Sequence, residues 1–246
     1  MARVAVITGA TGGLGTEFTR VINSYDYIDE IWAVGRNTDK LNKLKEMYDK
    51  VIPVQADFSD NGMETLTHKL EEEKLDIKLL INNAGVGYLG AYENMKPENV
   101  KAFCDINCTV PAELISVSLP YMREGAGIIN VSSASSFQPN PYLALYSASK
   151  VFLKNLSRAL YEELKPRKIR VTAVCPGWID TDMLPREKDG LPIMNIQSEI
   201  LKKADIVSLK LRQLYEQSGY VKYRMNQFEE YGFYLENKNF LGNGSY

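Results

Sequence analysis

The chain has 246 residues, enough for a full hydrophobic core, with 45% hydrophobic and 24% charged side chains and a formal net charge of -2. That balance argues against a disordered chain and gives no basic bias toward nucleic acid or an acidic membrane surface. Three cysteines (Cys104, Cys108, Cys175) without CxxC spacing argue against a disulfide framework, and one histidine, His68, cannot build a His-dependent triad or a His-rich zinc site.

Residues 3–8, RVAVIT, form a β-branched run stopped by glycines, and residues 16–23 carry apolar side chains at helical spacing. The same alternation predicts strands at 31–34, 51–55 and 77–81, and helices at 39–48 and 61–73. His68 falls in the last of these as a solvated helix residue. Residues 97–122 read as one or two helices interrupted near Pro111, 127–131 as a strand, 142–164 as a long helix and 169–174 as a sixth strand. Six continuous apolar runs separated by helices imply a parallel sheet buried on both faces: an α/β, doubly wound, Rossmann-like fold.

The remainder reads differently. Residues 181 to 200 are rich in Pro, Asp and Met without clear periodicity and are expected to form a flap beside the site. Residues 200–217 look helical, and 219–246, crowded with Tyr, Asn and Gly, form a tail. No repeat or linker marks a second domain, so residues 1–246 are expected as a single domain. The first ten residues lack the features of a signal peptide and no run reaches transmembrane length, which with the cysteine usage points to the cytoplasm.

The first strand-to-helix junction reads Thr8-Gly9-Ala10-Thr11-Gly12-Gly13-Leu14-Gly15. A pyrophosphate can rest there on unpaired backbone N–H groups and the helix dipole, with glycines permitting close approach. Gly9, Thr11, Gly13, Leu14 and Gly15 are the candidate contacts. The second strand ends Gly35-Arg36-Asn37, where a carboxylate would hydrogen-bond the ribose 2′-hydroxyl of NAD. Arg36 instead offers charge and planar donors suited to a 2′-phosphate, favouring NADP(H) over NAD(H). After the fifth strand come Ser132 and Ser133, and the long helix then carries Tyr146 and Lys150 four residues apart. That spacing sets both on one face, with the ammonium near a phenol that would otherwise titrate near ~10.

Together the T-G-x-x-x-G-x-G spacing, Asn82-Asn83-Ala84-Gly85, Ser133 thirteen residues before Tyr146, and Asn107 in Asp105-Ile106-Asn107 resemble the short-chain dehydrogenase/reductase family over residues 3–182. The resemblance implies a tetrad of Asn107, Ser133, Tyr146 and Lys150 interconverting a carbonyl and an alcohol. Tyr146 would act as acid and base, Ser133 would bind the substrate oxygen, and Lys150 would bind the nicotinamide ribose and lower the Tyr146 pKa. Asn107 would hold a water joining Lys150 to solvent. The resemblance also implies adenosine-side contacts from Asp57, Asn83, Ala84 and Gly85, although Asp57 is equally a cap for the next helix. In Cys175-Pro176-Gly177-Trp178-Ile179-Asp180-Thr181, it implies that Pro176, Gly177, Ile179 and Thr181 meet the nicotinamide end.

Val86, Gly87, Tyr88, Ser135, Phe137 and Tyr142 follow strand ends and are candidate pocket walls for an apolar ketone or aldehyde. Cys104 and Cys108 are expected as structural thiols. A homodimer or homotetramer acting on a small molecule is implied, with no metal, nucleic acid or membrane partner. The family's seventh strand has only a weak counterpart at 231–235. Two alternatives keep the dinucleotide site: a non-catalytic NADPH-binding sensor or scaffold, and a nucleotide-sugar epimerase.

Overall fold

The computed structural model describes residues 1–73 and 75–177, with two further short strands at Glu187–Lys188 and Leu191–Pro192. The chain alternates β1 (Ala2–Thr8), α1 (Gly13–Asn23), β2 (Glu30–Gly35), α2 (Thr38–Met47), β3 (Val51–Gln55), α3 (Gly62–Glu72) and β4 (Leu75–Asn82). There follow α4 (Pro97–Cys104), α5 (Val110–Ser118), β5 (Gly127–Val131), α6 (Ala144–Leu164) and β6 (Arg170–Val174). All six long strands are parallel, in the order β3-β2-β1-β4-β5-β6. The order reverses between β1 and β4, and that switch point opens a crevice beyond the carboxyl ends of the strands.

Each strand is buried on both faces, which is why it reads as an unbroken apolar run. In β1, Val4 and Val6 join Trp32 and Ile77 in a core closed by Leu66 and Leu70 of α3 and by Leu114 and Ile115 of α5. Ala5 and Ile7 point the other way, onto Phe18 and Ile22 of α1 and Leu41 and Leu44 of α2. A polar thread crosses the first of these cores. Asn82 Nδ2 donates to Asn130 Oδ1 (2.8 Å), Asn130 Nδ2 to Ser157 Oγ (2.8 Å), and Ser157 Oγ to Leu153 O (2.7 Å), tying β4, β5 and α6 together. Buried polar atoms are tolerated when paired in this way.

Near Pro111, where the sequence predicts an interruption, a π-helical turn at Asp105–Thr109 breaks the run Pro97–Tyr121, and Pro111 sits in the first turn of α5. Three elements differ from the sequence expectation. The run Pro97–Tyr121 is long and apolar enough, by length and composition, to cross a bilayer, contrary to the sequence expectation. Here Leu114 and Ile115 pack beneath the sheet, and Lys101 and Asp105 form an exposed ion pair.

The long helix begins at Ala144 rather than Tyr142, because Tyr142 takes φ +64°, a left-handed conformation that a helix cannot include. Within the expected flap, Glu187–Lys188 and Leu191–Pro192 pair antiparallel, a regularity its composition did not signal. The rest of the flap, the helix at 200–217 and the strand at 231–235 lie outside the described residues.

A Cβ on Gly62 would stand 2.5 Å from the carbonyl carbon and oxygen of Asp57, both backbone atoms that cannot swing aside. Gly62→Ala is therefore expected to lower the unfolding free energy by about 2 kcal/mol. The urea midpoint should fall with an unchanged slope; an unmoved midpoint would mean that the Asp57 turn yields.

Candidate active site

The glycine turn is shaped by close approach. Gly9 has φ +61°, and a Cβ on Gly15 would lie 2.2 Å from the Gly9 carbonyl oxygen, so only glycine lets α1 start against the turn. Gly12 precedes α1 without a side-chain cap, which leaves the first-turn N–H groups facing the crevice with no side chain over them. This is the cradle a pyrophosphate fits. Behind it, Thr8 Oγ1 accepts from the backbone N–H groups of Asn83 and Ala84 (3.0 Å each), and Asn83 Nδ2 donates to the carbonyls of Thr8 and Gly9 (3.0 Å each). The Asn83 side chain thus holds the turn in place, and Thr8, the first residue of the glycine pattern, supports it from behind rather than facing the crevice as a contact.

Arg36 is exposed just after β2, and the Thr11 side chain lies 3.6 Å from the point where a Cβ on Gly35 would sit. Both lie at the carboxyl ends of β1 and β2. Asp57 Oδ1 accepts from Ser59 N (3.0 Å) and Ser59 Oγ (2.6 Å), the local turn that leads into α3. Those bonds, with a smaller contribution from the Arg36 charge, hold its carboxyl below the usual range. The cap expected of Asp57 is not formed: Asn61 is the N-cap of α3, without a side-chain bond, and Asp57 instead closes the turn on Ser59.

At the other end, Ser133 leaves β5 extended and caps a short 3-10 turn, Ala134–Ser136, its Oγ accepting from Ser135 N (3.2 Å). The Ser133 hydroxyl also acts on the Tyr146 phenol, in the direction that favours its charged form. Lys150 is buried in α6, its Nζ donating to Val131 O (3.0 Å) and standing 5.6 Å from the centre of the Tyr146 ring, while Ser132 Oγ donates to Lys150 O (2.7 Å). Burial lowers the Lys150 pKa to about 8, with Cys108 and Cys175 acting in the opposite direction. Burial raises the Tyr146 phenol above its ordinary value, and the Ser133 hydroxyl opposes that rise. Ser133 thus favours the phenolate, and Lys150 Nζ stands beside the same ring, as the helical spacing predicts.

Asn107 lies fully buried in the π-helical turn. Its Oδ1 accepts from Val86 N (2.9 Å), and its Nδ2 donates to Val86 O (2.9 Å) and Ser149 Oγ (3.4 Å). A Cβ on Gly85 would meet Asn107 Oδ1 at 3.1 Å and Lys150 Nζ at 3.4 Å, so the three residues converge and Gly85 makes room for the other two. Pro176 O accepts from Ala134 N (2.8 Å), which brings the Pro176-Gly177 segment against the Ser133 turn. Trp178, Ile179 and Thr181 lie outside the described residues. Cys104 and Cys108 are half-buried free thiols, Cys175 is buried, and His68 is exposed. Among the described residues no group of His, Cys, Asp and Glu could hold a metal.

The profile of the short chain dehydrogenase family matches residues 3–191. A 3alpha-hydroxysteroid dehydrogenase of Mediterraneibacter gnavus is 30% identical over 189 residues, 74% of this chain and 76% of its own. A very-long-chain 3-oxoacyl-CoA reductase of Mus musculus is 29% identical over 230 residues, 88% of this chain and 71% of its own. The same fold recurs in a short-chain dehydrogenase from Sphingobium yanoikuyae solved in complex with NADPH, with a TM-score of 0.75, 24% identity, and coverage of 87% of this chain and 84% of that one. The chain belongs to the short-chain dehydrogenase family. It is an oxidoreductase built on an NAD(P)-binding Rossmann-like fold.

Because folding depresses the Lys150 pKa from 10.5 to about 8, the unfolded chain holds the extra proton between those values, and this group makes stability rise with pH across that window. Lys150→Met is expected to remove a rise on the order of 2 kcal/mol between pH 8 and pH 10. Urea unfolding of both proteins at the two pH values measures the difference; identical slopes with pH would show that the ammonium is solvated.

Proposed function

We propose that the chain is an NADP(H)-dependent enzyme that interconverts an apolar ketone or aldehyde with its alcohol, using Tyr146 as general acid and base. The observation that carries this is the convergence of Tyr146, Ser133, Lys150 and Asn107 around the carboxyl ends of β4 and β5, across the crevice from the open first turn of α1. The nicotinamide, when bound, supplies the hydride in reduction and takes it back in oxidation.

The chain's own residues do the rest. Ser133, whose Oγ accepts from Ser135 N–H, turns its one hydroxyl proton from the phenol to the substrate oxygen when substrate binds. Tyr146 gives its phenolic proton to that oxygen in reduction, at the point where alkoxide charge would otherwise build. Lys150, with a pKa of about 8, can pass a proton near neutral pH, and Asn107 positions the main chain beside it that holds a relaying water. The first turn of α1 with Gly9, Thr11, Gly13, Leu14 and Gly15 takes the pyrophosphate, and Arg36 takes the 2′-phosphate that selects NADP(H), with NAD(H) the weaker ligand. Asp57 and Asn83-Ala84-Gly85 line the adenosine side, while Pro176, Gly177, Ile179 and Thr181 meet the nicotinamide.

The substrate class follows from the rim. Gly90 N donates to Tyr142 O (2.9 Å), joining the loops after β4 and β5, and Leu89, Tyr92 and Tyr142 all stand exposed on them. An apolar carbonyl compound suits such a border, in keeping with a relative named for hydroxysteroids and another for very-long-chain oxoacyl groups. A cytoplasmic homodimer or homotetramer, one domain over residues 1–246, completes the proposal.

Turnover is read as NADPH absorbance across a panel of ketones and aldehydes. Tyr146→Phe is expected to lower kcat by about 10³-fold with NADPH affinity retained. Tight NADPH binding with no carbonyl consumed by the wild-type protein would favour the sensor alternative. Arg36→Glu is expected to weaken NADPH about 100-fold and to leave NADH at least as well bound, because a carboxylate repels the 2′-phosphate and accepts a hydrogen bond from a 2′-hydroxyl; unchanged NADPH affinity would remove Arg36 from the site.

A further inference from the structure

Lys154 stands two helical turns beyond Tyr146 and one beyond Lys150, on the same side of α6. Its Nζ donates to Ser136 O (2.9 Å) and lies 4.0 Å from the centre of the Phe137 ring. Both groups are electron-rich: an end-of-turn carbonyl with no helical N–H to satisfy it, and an aromatic face. They close the 3-10 turn that Ser133 opens. Within it, Ser136 N donates to Ser133 O (3.0 Å), Phe137 N to Ala134 O (3.1 Å), and Ser135 N to Ser133 Oγ (3.2 Å).

We propose that Lys154 is a positioning residue: by clamping Ser136 and Phe137 to α6 it fixes the turn whose first residue, Ser133, works beside Tyr146. This rests on the proposed function only in naming Ser133 and Tyr146 as the pair that meets the substrate. The helix holds the turn at both ends, through Lys150 on Val131 and Ser132 just before it and through Lys154 on Ser136 and Phe137 at its close. A five-residue turn held at two such points cannot rotate about either. Released at its far end, the turn keeps its attachment to α6 at its start, through Ser132 Oγ on Lys150 O and Lys150 Nζ on Val131 O, and the serine hydroxyl beyond that attachment loses its fixed direction. Ala134 N on Pro176 O and Ser136 Oγ on Cys175 Sγ (3.8 Å) hold the turn to the segment after β6, and neither ties it to the helix that carries the phenol.

The test uses the full chain labelled with 13Cζ-tyrosine, at one fixed pH. The Tyr146 resonance is assigned by its loss in Tyr146→Phe, and its shift reports the hydrogen bond at the phenol oxygen. Lys154→Met is expected to move that resonance in the same direction as Ser133→Ala, and the double variant is expected to coincide with Ser133→Ala alone. Lys154→Arg, which keeps charge, donor and ring contact, should remain at the wild-type position. In turnover, Lys154→Met should lose about 10-fold in kcat with the KM for NADPH unchanged, and Lys154→Arg should recover it.

An unmoved resonance in Lys154→Met, or a shift that simply adds to that of Ser133→Ala, would overturn the proposal. Should the Met variant not fold, Lys154→Gln carries the same comparison. A wild-type protein that consumed no carbonyl would end the proposed activity, while the resonance would still decide whether Lys154 acts through Ser133.

Discussion

Three buried hydrogen bonds fasten α6 to the end of β5: Lys150 Nζ to Val131 O, Ser132 Oγ to Lys150 O, and Asn130 Nδ2 to Ser157 Oγ. Each joins groups that water no longer reaches, so leaving one unmade costs more than making it contributes. Three attachments along one helix set its height on the strand and its rotation about its own axis. Tyr146 can then meet Ser133 only because this register is held from below. The ammonium of Lys150 is the costly member, since burial penalises its charge and depresses its pKa to about 8. The same burial brings its proton within reach of neutral pH.

The opposite wall of the crevice uses backbone where α6 uses side chains. Thr8 Oγ1 takes two N–H groups from the end of β4 and donates to Ile81 O (3.3 Å), employing nearly its full hydrogen-bonding capacity at the seam between β1 and β4. Asn83 reaches back to the glycine turn, and Asn107 grips Val86 from the π-helical turn. The segment after β4 is thereby held from both sides, against the glycine turn by Asn83 and against α5's approach by Asn107. A widened helical turn is a recurrent device at functional sites, and here it lets Asn107 enter beside Gly85 and Lys150.

Much of this was legible in the chain. The continuous apolar strands follow from burial on two faces, and right-handed crossovers leave few topologies for six parallel strands, of which the doubly wound one is found. Gly15 could be read because a helix starting against its own preceding turn leaves no space for a Cβ. Other features could not. Pro111 marks the break, but its chemistry does not say that the break takes the form of a π-helical turn at Asp105–Thr109. Tyr142 fits helical spacing and is excluded from the helix by a left-handed φ that an aromatic side chain gives no hint of. Lys154 looks like any lysine of a solvated helix until Ser136 O and the Phe137 ring come to lie beneath it.

By itself the sequence determined what depends on local pattern: the alternation of strand and helix, the uncapped glycine turn, and the four-residue spacing of Tyr146 and Lys150. Hydrophobic period, backbone sterics and helical geometry act over a few residues, so they are written in neighbouring letters. Only the tertiary structure decided which partner each polar group found. Helical spacing set Lys150 beside Tyr146, but the fold turned its ammonium to Val131 O and set Ser133 on the phenol. Desolvation and hydrogen bonding, which set both pKa values, depend on groups far apart in the chain and brought together only by packing.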